Sequence, residues 1–162
     1  MNKINEKKDL QIRERLVIHI QGGEAFMPVD RLLDKIPFEK TEVVPEGLPY
    51  SFYQQFYHLR LAQYDILEFT RNPNYESPKW PEGYWPEQTG PDKVQEWELL
   101  TEAYFTERTE FCDYISDTDI NLFEPIPHGT GQTPFREALL LTEHNAYHTG
   151  QLLMLLRLLN LH

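Results

Sequence analysis

Apolar positions along this chain recur at the three- to four-residue spacing of amphipathic helices, and four long stretches carry that pattern. The first covers about residues 6–21, with Leu10, Ile12, Leu16, Val17 and Ile20 spaced for one face and Gly22-Gly23 as a stop. A shorter helix is expected after Pro28, with Leu32, Leu33 and Ile36 inward and Pro37 ending it; residues 38–48 read as extended and irregular. The second long helix opens at Ser51, where Gln54 three residues on completes a capping-box pattern. Phe52, Phe56, Leu59 and Ile66 form its stripe, and Asn72-Pro73 closes it. The third is expected from near Pro91, with Val94, Trp97, Leu100, Tyr104, Phe111 and Ile115 along one side. Thr133-Pro134, an N-cap followed by a first-turn proline, launches the last, which continues to about Leu159; Asn160 can take the left-handed position beyond it.

No stretch alternates with period two for long enough to build a sheet, and no internal repeat is visible. The pattern therefore predicts an all-α four-helix bundle forming one domain over residues 1–162, with two long connections. One connection, Asn72 to Gly90, is dense in proline and aromatic residues: Pro73, Tyr75, Pro78, Trp80, Pro81, Tyr84, Trp85 and Pro86. Flexible linkers lack such large apolar side chains, so an ordered loop folded across the bundle is expected. The other, Ser116 to Gln132, contains Pro125-Ile126-Pro127-His128-Gly129-Thr130-Gly131.

Charge narrows the partners. A net charge of -11 argues against nucleic acid and anionic membrane surfaces, which would repel the chain. The longest apolar run, Leu152 to Leu156, is far short of the roughly 20 residues of a membrane span. The N-terminal residues show no apolar signal segment, so a cytoplasmic protein acting on a small molecule is expected. A single cysteine, Cys112, excludes an internal disulfide and any multi-cysteine zinc site; its place beside Phe111 and Ile115 reads as a buried structural thiol.

The candidate chemistry lies in the last helix. His144 and His148 are four residues apart, so they share a face, and that face continues into leucine. Buried imidazoles need polar partners, since an unpaired buried polar group costs about 1–3 kcal/mol. A metal ion would satisfy both; backbone carbonyls or water are the alternative. His58, in the second helix at the edge of its inward surface, would complete a three-histidine set if those helices are neighbours. Three neutral imidazoles with an open position suit zinc, nickel, iron or a similar divalent ion. The metalloprotease pattern fails because Asn145, not glutamate, follows His144, and no histidine has the glutamate three residues before it that a di-iron bundle requires.

Glu137, two turns before His144 on the same face, could take up a proton at the site or hold a histidine by its second nitrogen. Equally, it is a carboxylate in a first helical turn, where the dipole favours it. His128 in the loop before the last helix could overhang the site or be an ordinary loop residue. Glu143 points away and reads as solvated, and Gly129-Thr130-Gly131 reads as a turn rather than an anion site.

With His58 set in Phe56-Tyr57-His58-Leu59-Arg60-Leu61-Ala62-Gln63-Tyr64-Asp65-Ile66-Leu67 and His144-x-x-x-His148-x-Gly150-Gln151 followed by Leu156-Arg157, nearly the whole chain resembles the DinB (YfiT-like) superfamily of metalloenzymes. The name is shared with an error-prone DNA polymerase, to which no relation is implied. The Ser77-to-Pro86 and Pro125-to-Gly129 loops look like one branch of that family. The resemblance implies a four-helix bundle and one divalent ion, nickel or zinc foremost with iron or manganese as alternatives, held by His58, His144 and His148. It also implies a homodimer formed through bundle helices. Characterised relatives include transferases and isomerases that use low-molecular-weight thiols. Relatives often end the last helix with glycine, where this chain has Asn160; asparagine tolerates the same conformation.

The function expected is thus metal-dependent hydrolysis or thiol transfer at the three histidines, with Glu137 and His128 assisting proton movement and the loop around Trp80 and Trp85 shaping the pocket. The alternatives are a non-catalytic bundle stabilised by its metal and a small-ligand-binding module that uses the Trp/Tyr loop.

Overall fold

A computed structural model describes residues 3–162. Its helices are α1 (Lys3–Gln21), the short α2 (Val29–Leu33), α3 (Phe52–Arg71), α4 (Val94–Ser116) and α5 (Pro134–Leu158), with 3₁₀ turns at Phe38–Lys40 and Glu82–Tyr84. No strand occurs among the described residues. α3 packs on α4 and α5, and α1 packs on the same two helices from the opposite corner, so the order around the bundle is α1, α4, α3, α5. No helix among the described residues is long and apolar enough to cross a membrane.

The helix ends follow the local chemistry. At the start of α3, Ser51 Oγ accepts from Gln54 N–H and Gln54 Oε1 accepts from Ser51 N–H, each at 3.1 Å, satisfying two donors that a helix start leaves free. Thr133 caps α5 by accepting from Arg136 N–H at 3.2 Å. At the far end Asn160 adopts φ 58° and Leu161 N–H reaches back to Leu156 O at 2.8 Å, closing the helix with a left-handed residue as expected. Gly22, at φ 80°, plays that part after α1.

Several expectations need correction. α4 begins at Val94 rather than near Pro91, because Asp92 N–H is taken by the Glu96 side chain and the helix starts only after Lys93. Its first residue, Val94, is exposed, as is Leu10 of α1, so both apolar stripes are shorter than their sequence spacing suggests. Residues 38–48 are not simply extended: they hold a 3₁₀ turn, closed by Thr41 Oγ1 donating to Phe38 O at 2.7 Å.

The buried apolar residues form two separate clusters. One joins Leu16 and Ile20 of α1 to Ile66, Leu67, Phe111, Ile115 and Leu141. The other joins Val29 and Leu32 of α2 to Phe52, Phe56, Leu59, Tyr104, Leu152 and Leu155. α1 therefore closes one end of the bundle and α2 the other. Between them, α3 and α5 carry buried polar residues: Gln55 and His58 meet His148, Asn145 and Thr149 lie beside it on α5, and Gln63 turns to α4, donating to Tyr104 O at 2.8 Å.

One charged residue on the α1 stripe was not foreseen. Arg13 is buried, pairs with Asp9 at 2.6 Å, and donates to the carbonyls of Ile115, Asp117 and Ile120 at 2.8, 2.8 and 2.7 Å. It thus ties α1 to the C-terminal end of α4, where free carbonyls and the helix dipole favour a cation. Arg13→Met is expected to cost about 3 kcal/mol, because it strands three carbonyls and Asp9, while Asp9→Asn should cost under about 1 kcal/mol. Urea unfolding midpoints of the two variants measure the difference.

Candidate metal centre

His58 comes from the middle of α3, and His144 and His148 from consecutive turns of α5. The bundle brings all three together, each able to offer one ring nitrogen, with those atoms within 4.8 Å of one another. His58 Nε2 lies 3.2 Å from His148 Nε2 and 3.3 Å from His144 Nε2. Nitrogens about 2.0–2.1 Å from one tetrahedral ion would lie about 3.3–3.4 Å apart. Both separations from His58 therefore match those between ligands of one small divalent ion.

What surrounds the rings decides which nitrogen carries the proton. His58 Nδ1–H donates to Tyr84 O at 3.3 Å, since a carbonyl only accepts; Nε2 is then left with its lone pair turned to the other two rings. At His148 the Gln55 side-chain amide, fully buried, sits against Nδ1. It is the amide nitrogen that faces Nδ1, and the Gln55 oxygen has no partner; with the amide turned over, that oxygen accepts Nδ1–H and frees His148 Nε2 as a ligand. His144 Nδ1 and both polar atoms of the adjacent Asn145 amide are also buried without partners, as is Gln151 Oε1. The donor set fits three imidazoles facing inward on one ion through Nε2, with His58 Nδ1 on the Tyr84 carbonyl, His148 Nδ1 against the Gln55 amide and His144 Nδ1 without a partner.

Electrostatics hold the rings neutral. Burial pushes the His58 imidazole below its ordinary range, against the opposing effect of the Tyr84 carbonyl. Burial, then the neighbouring His148 and His58 rings, pushes His144 down to about 3. Burial and then His58 push His148 down to about 4. Neutral imidazole is the form that ligates a metal.

His58 is not at the bundle edge, as the helical pattern alone suggested, but only 2% exposed. The Asn72-to-Gly90 connection covers it. Trp85 stacks on its ring with centroids 4.1 Å apart and planes 2° apart, and Tyr50 in turn stacks on Trp85 at 5.7 Å. Trp80 stands 6.3 Å from the His58 ring and is 66% exposed. Tyr147, also exposed, meets the His148 ring edge-on at 4.9 Å. Aromatic rings thus wall the site, and His144 is its least buried ligand.

Glu137 and His128 are not brought to the histidines. Glu137 is buried, but its carboxylate is held by Arg136 at 2.8 Å, and seven residues of helix put it about 10 Å along the axis from His144. Burial pushes its carboxyl above the ordinary range. His128 is exposed and bonded through Nε2 to Phe69 O at 2.6 Å, near the end of α3 and about 16 Å along that helix from His58. Glu143 is exposed, and Cys112 is buried, its thiol pushed up to about 11 by burial. The residues that sequence reading missed are Gln55 and Asn145. Their signal was a polar side chain on an apolar stripe: Gln55 lies three and four residues from Phe52 and Leu59, and Asn145 four and seven from Leu141 and Leu152. A surface concavity of about 370 Å³ between α1 and the Thr118–Asn121 turn contains none of the histidines.

The depressed imidazoles have a consequence for stability. Below about pH 6.5 the unfolded chain takes up protons on these histidines while the native state resists them, so stability falls with falling pH. Glu107 and Glu137, whose carboxyls burial pushes up, act in the opposite sense at lower pH. In chelator-treated protein the urea midpoint is expected to decline from pH 6.5 to pH 5, and the His144→Gln/His148→Gln double variant should flatten that slope.

No curated protein and no solved structure matches the chain. A family model does, over residues 24–152, a span that includes all three histidines and most of the bundle beyond α1. The chain belongs to the DinB superfamily.

Proposed function

We propose that this protein is a divalent-metal-dependent enzyme, a hydrolase or a thiol-dependent transferase, whose ion is held by His58, His144 and His148. The observation that carries the reading is the pair of Nε2–Nε2 separations, 3.2 and 3.3 Å, among imidazoles kept neutral by burial. Nickel or zinc suits an all-imidazole set best, with iron or manganese as alternatives. A bound ion would supply Lewis acidity, lowering the pKa of a coordinated oxygen or sulfur nucleophile.

The remaining work falls to this chain's own residues. Tyr84 O and the Gln55 amide orient the rings, and Trp85 covers His58 and excludes water from one side. Only three protein ligands gather among the described residues, whereas structural zinc is closed by four, which favours catalysis over a purely structural ion. Neither Glu137 nor His128 is placed to move a proton directly at the histidines, so any part they play runs through intervening groups. Untagged protein should carry about one equivalent of metal, and His58→Ala and His144→Ala should each lose it; elemental analysis showing unchanged metal in both variants overturns the site. Turnover of ester and thiol-acceptor panels by the loaded protein separates hydrolysis from transfer.

The expected setting is a cytoplasmic homodimer acting on a small molecule, with neither nucleic acid nor membrane as partner. Support for the dimer comes from α5, where exposed Leu139, Tyr147, Met154 and Leu158 fall within about 100° of one face. Covering them would remove an apolar stripe from water. Met154→Lys/Leu158→Glu is expected to convert a dimer to a monomer in sedimentation velocity; a wild type that sediments as a monomer at all concentrations removes the proposal.

A further inference from the structure

Tyr84 has two polar ends, and both are used. Its carbonyl accepts His58 Nδ1–H at 3.3 Å, while its hydroxyl donates to Asp65 Oδ2 at 2.6 Å. Asp65 lies seven residues after His58, two turns along the same face of α3, or about 10 Å along its axis. The buried tyrosine therefore lies lengthwise along the helix as a strut, pinned at one end by a carboxylate and supporting the imidazole at the other. The next residue, Trp85, stacks face to face on that imidazole.

The other anchors of this connection do not fix the ring. Ser51 Oγ holds Thr89 O, and Gln54 Nε2 donates to Pro86 O at 3.3 Å, both beyond Trp85. Gly83 N–H donates to Lys79 O within the loop itself. Apart from the carbonyl's own bond to His58, the bond to Asp65 is the one that ties the Glu82–Tyr84 turn to α3 among the described residues.

We propose that Asp65 is a positioning residue for the three-histidine site, acting through Tyr84 to hold His58 in its Nδ1–H form with Nε2 directed at His144 and His148. Without the strut the 3₁₀ turn is free to rotate, and the ring loses both its acceptor and its stacking partner. It then populates the other tautomer, whose Nε2 carries a proton and cannot ligate. Tyr75 also interacts with Asp65 by charge and hydrogen bonding, and Glu137 by charge, but the short contact, 2.6 Å, is the one from the Tyr84 hydroxyl.

The test uses Tyr84→Phe, which keeps the ring and the carbonyl, together with Asp65→Leu and Asp65→Asn; asparagine retains an oxygen that accepts the tyrosine proton. In metal-free protein, ¹⁵N NMR of the histidine rings should show His58 as the Nδ1–H form in wild type and Asp65→Asn. In Tyr84→Phe and Asp65→Leu it should be a mixture of tautomers. Titration with cobalt(II) should show affinity about 10–100-fold lower in those two variants and near wild type in Asp65→Asn. Unchanged His58 tautomers in Tyr84→Phe and Asp65→Leu overturn the strut, as does a loss in Asp65→Asn equal to that in Asp65→Leu. The affinity arm rests on the metal-site reading, but the tautomer arm does not. A wild type that takes up no cobalt defeats the metal reading and leaves the strut to be judged by NMR alone.

Discussion

Three imidazoles side by side in the middle of a helical bundle, two buried and one half-buried, impose the constraint on which the rest of this structure depends. Each ring has two nitrogens that must be satisfied, and burial among like neighbours makes the charged form unfavourable. The solution is directional. The Nε2 atoms converge, and the Nδ1 atoms of His58 and His148 turn outward to the Tyr84 carbonyl and the Gln55 amide. Gln55 answers that demand at His148, and the buried polar residues around the histidines lie between two apolar clusters.

The ligands are not held equally. His144 and His148 are aligned by the helix itself, since a four-residue separation places them on one face whatever surrounds them. His58 has no such partner on α3. Its burial, its ring orientation and its tautomer come from a connection between helices that supplies Tyr84 O on one atom and Trp85 across the ring face. The long aromatic loop is thus part of the centre rather than a link between helices, which explains why so many large side chains occur in it. Likewise α2 is more than a linker, because α1 ends at Gln21 and leaves α2 to complete the second apolar cluster.

Membership of the DinB superfamily and the geometry of the histidines support one another from independent grounds, a family match over residues 24–152 and a convergence of ring nitrogens. Neither depends on Glu137 or His128. Both were reasonable candidates by spacing, and both are engaged elsewhere: Glu137 by Arg136, and His128 by the carbonyl of Phe69. Shared helical face is a weaker condition than shared site, because residues on one stripe can lie several turns apart.

Local chemistry in the sequence determined the helices and their ends: the Ser51–Gln54 box, the Thr133-Pro134 start, the Gly22 and Asn160 stops, and the apolar spacing between them. It determined the i,i+4 pair on α5 for the same reason, since interactions within a turn or two are encoded by adjacent residues. Only the tertiary structure decided that α3 lies beside α5 and so brings His58 to that pair, that a loop 26 residues further on buries it, and that Arg13 reaches across more than a hundred residues to the end of α4. Those contacts join residues far apart in the chain, and no periodicity or capping rule records which distant surface a side chain will meet. They are settled by the packing of whole helices and by the cost of leaving a buried polar atom without a partner.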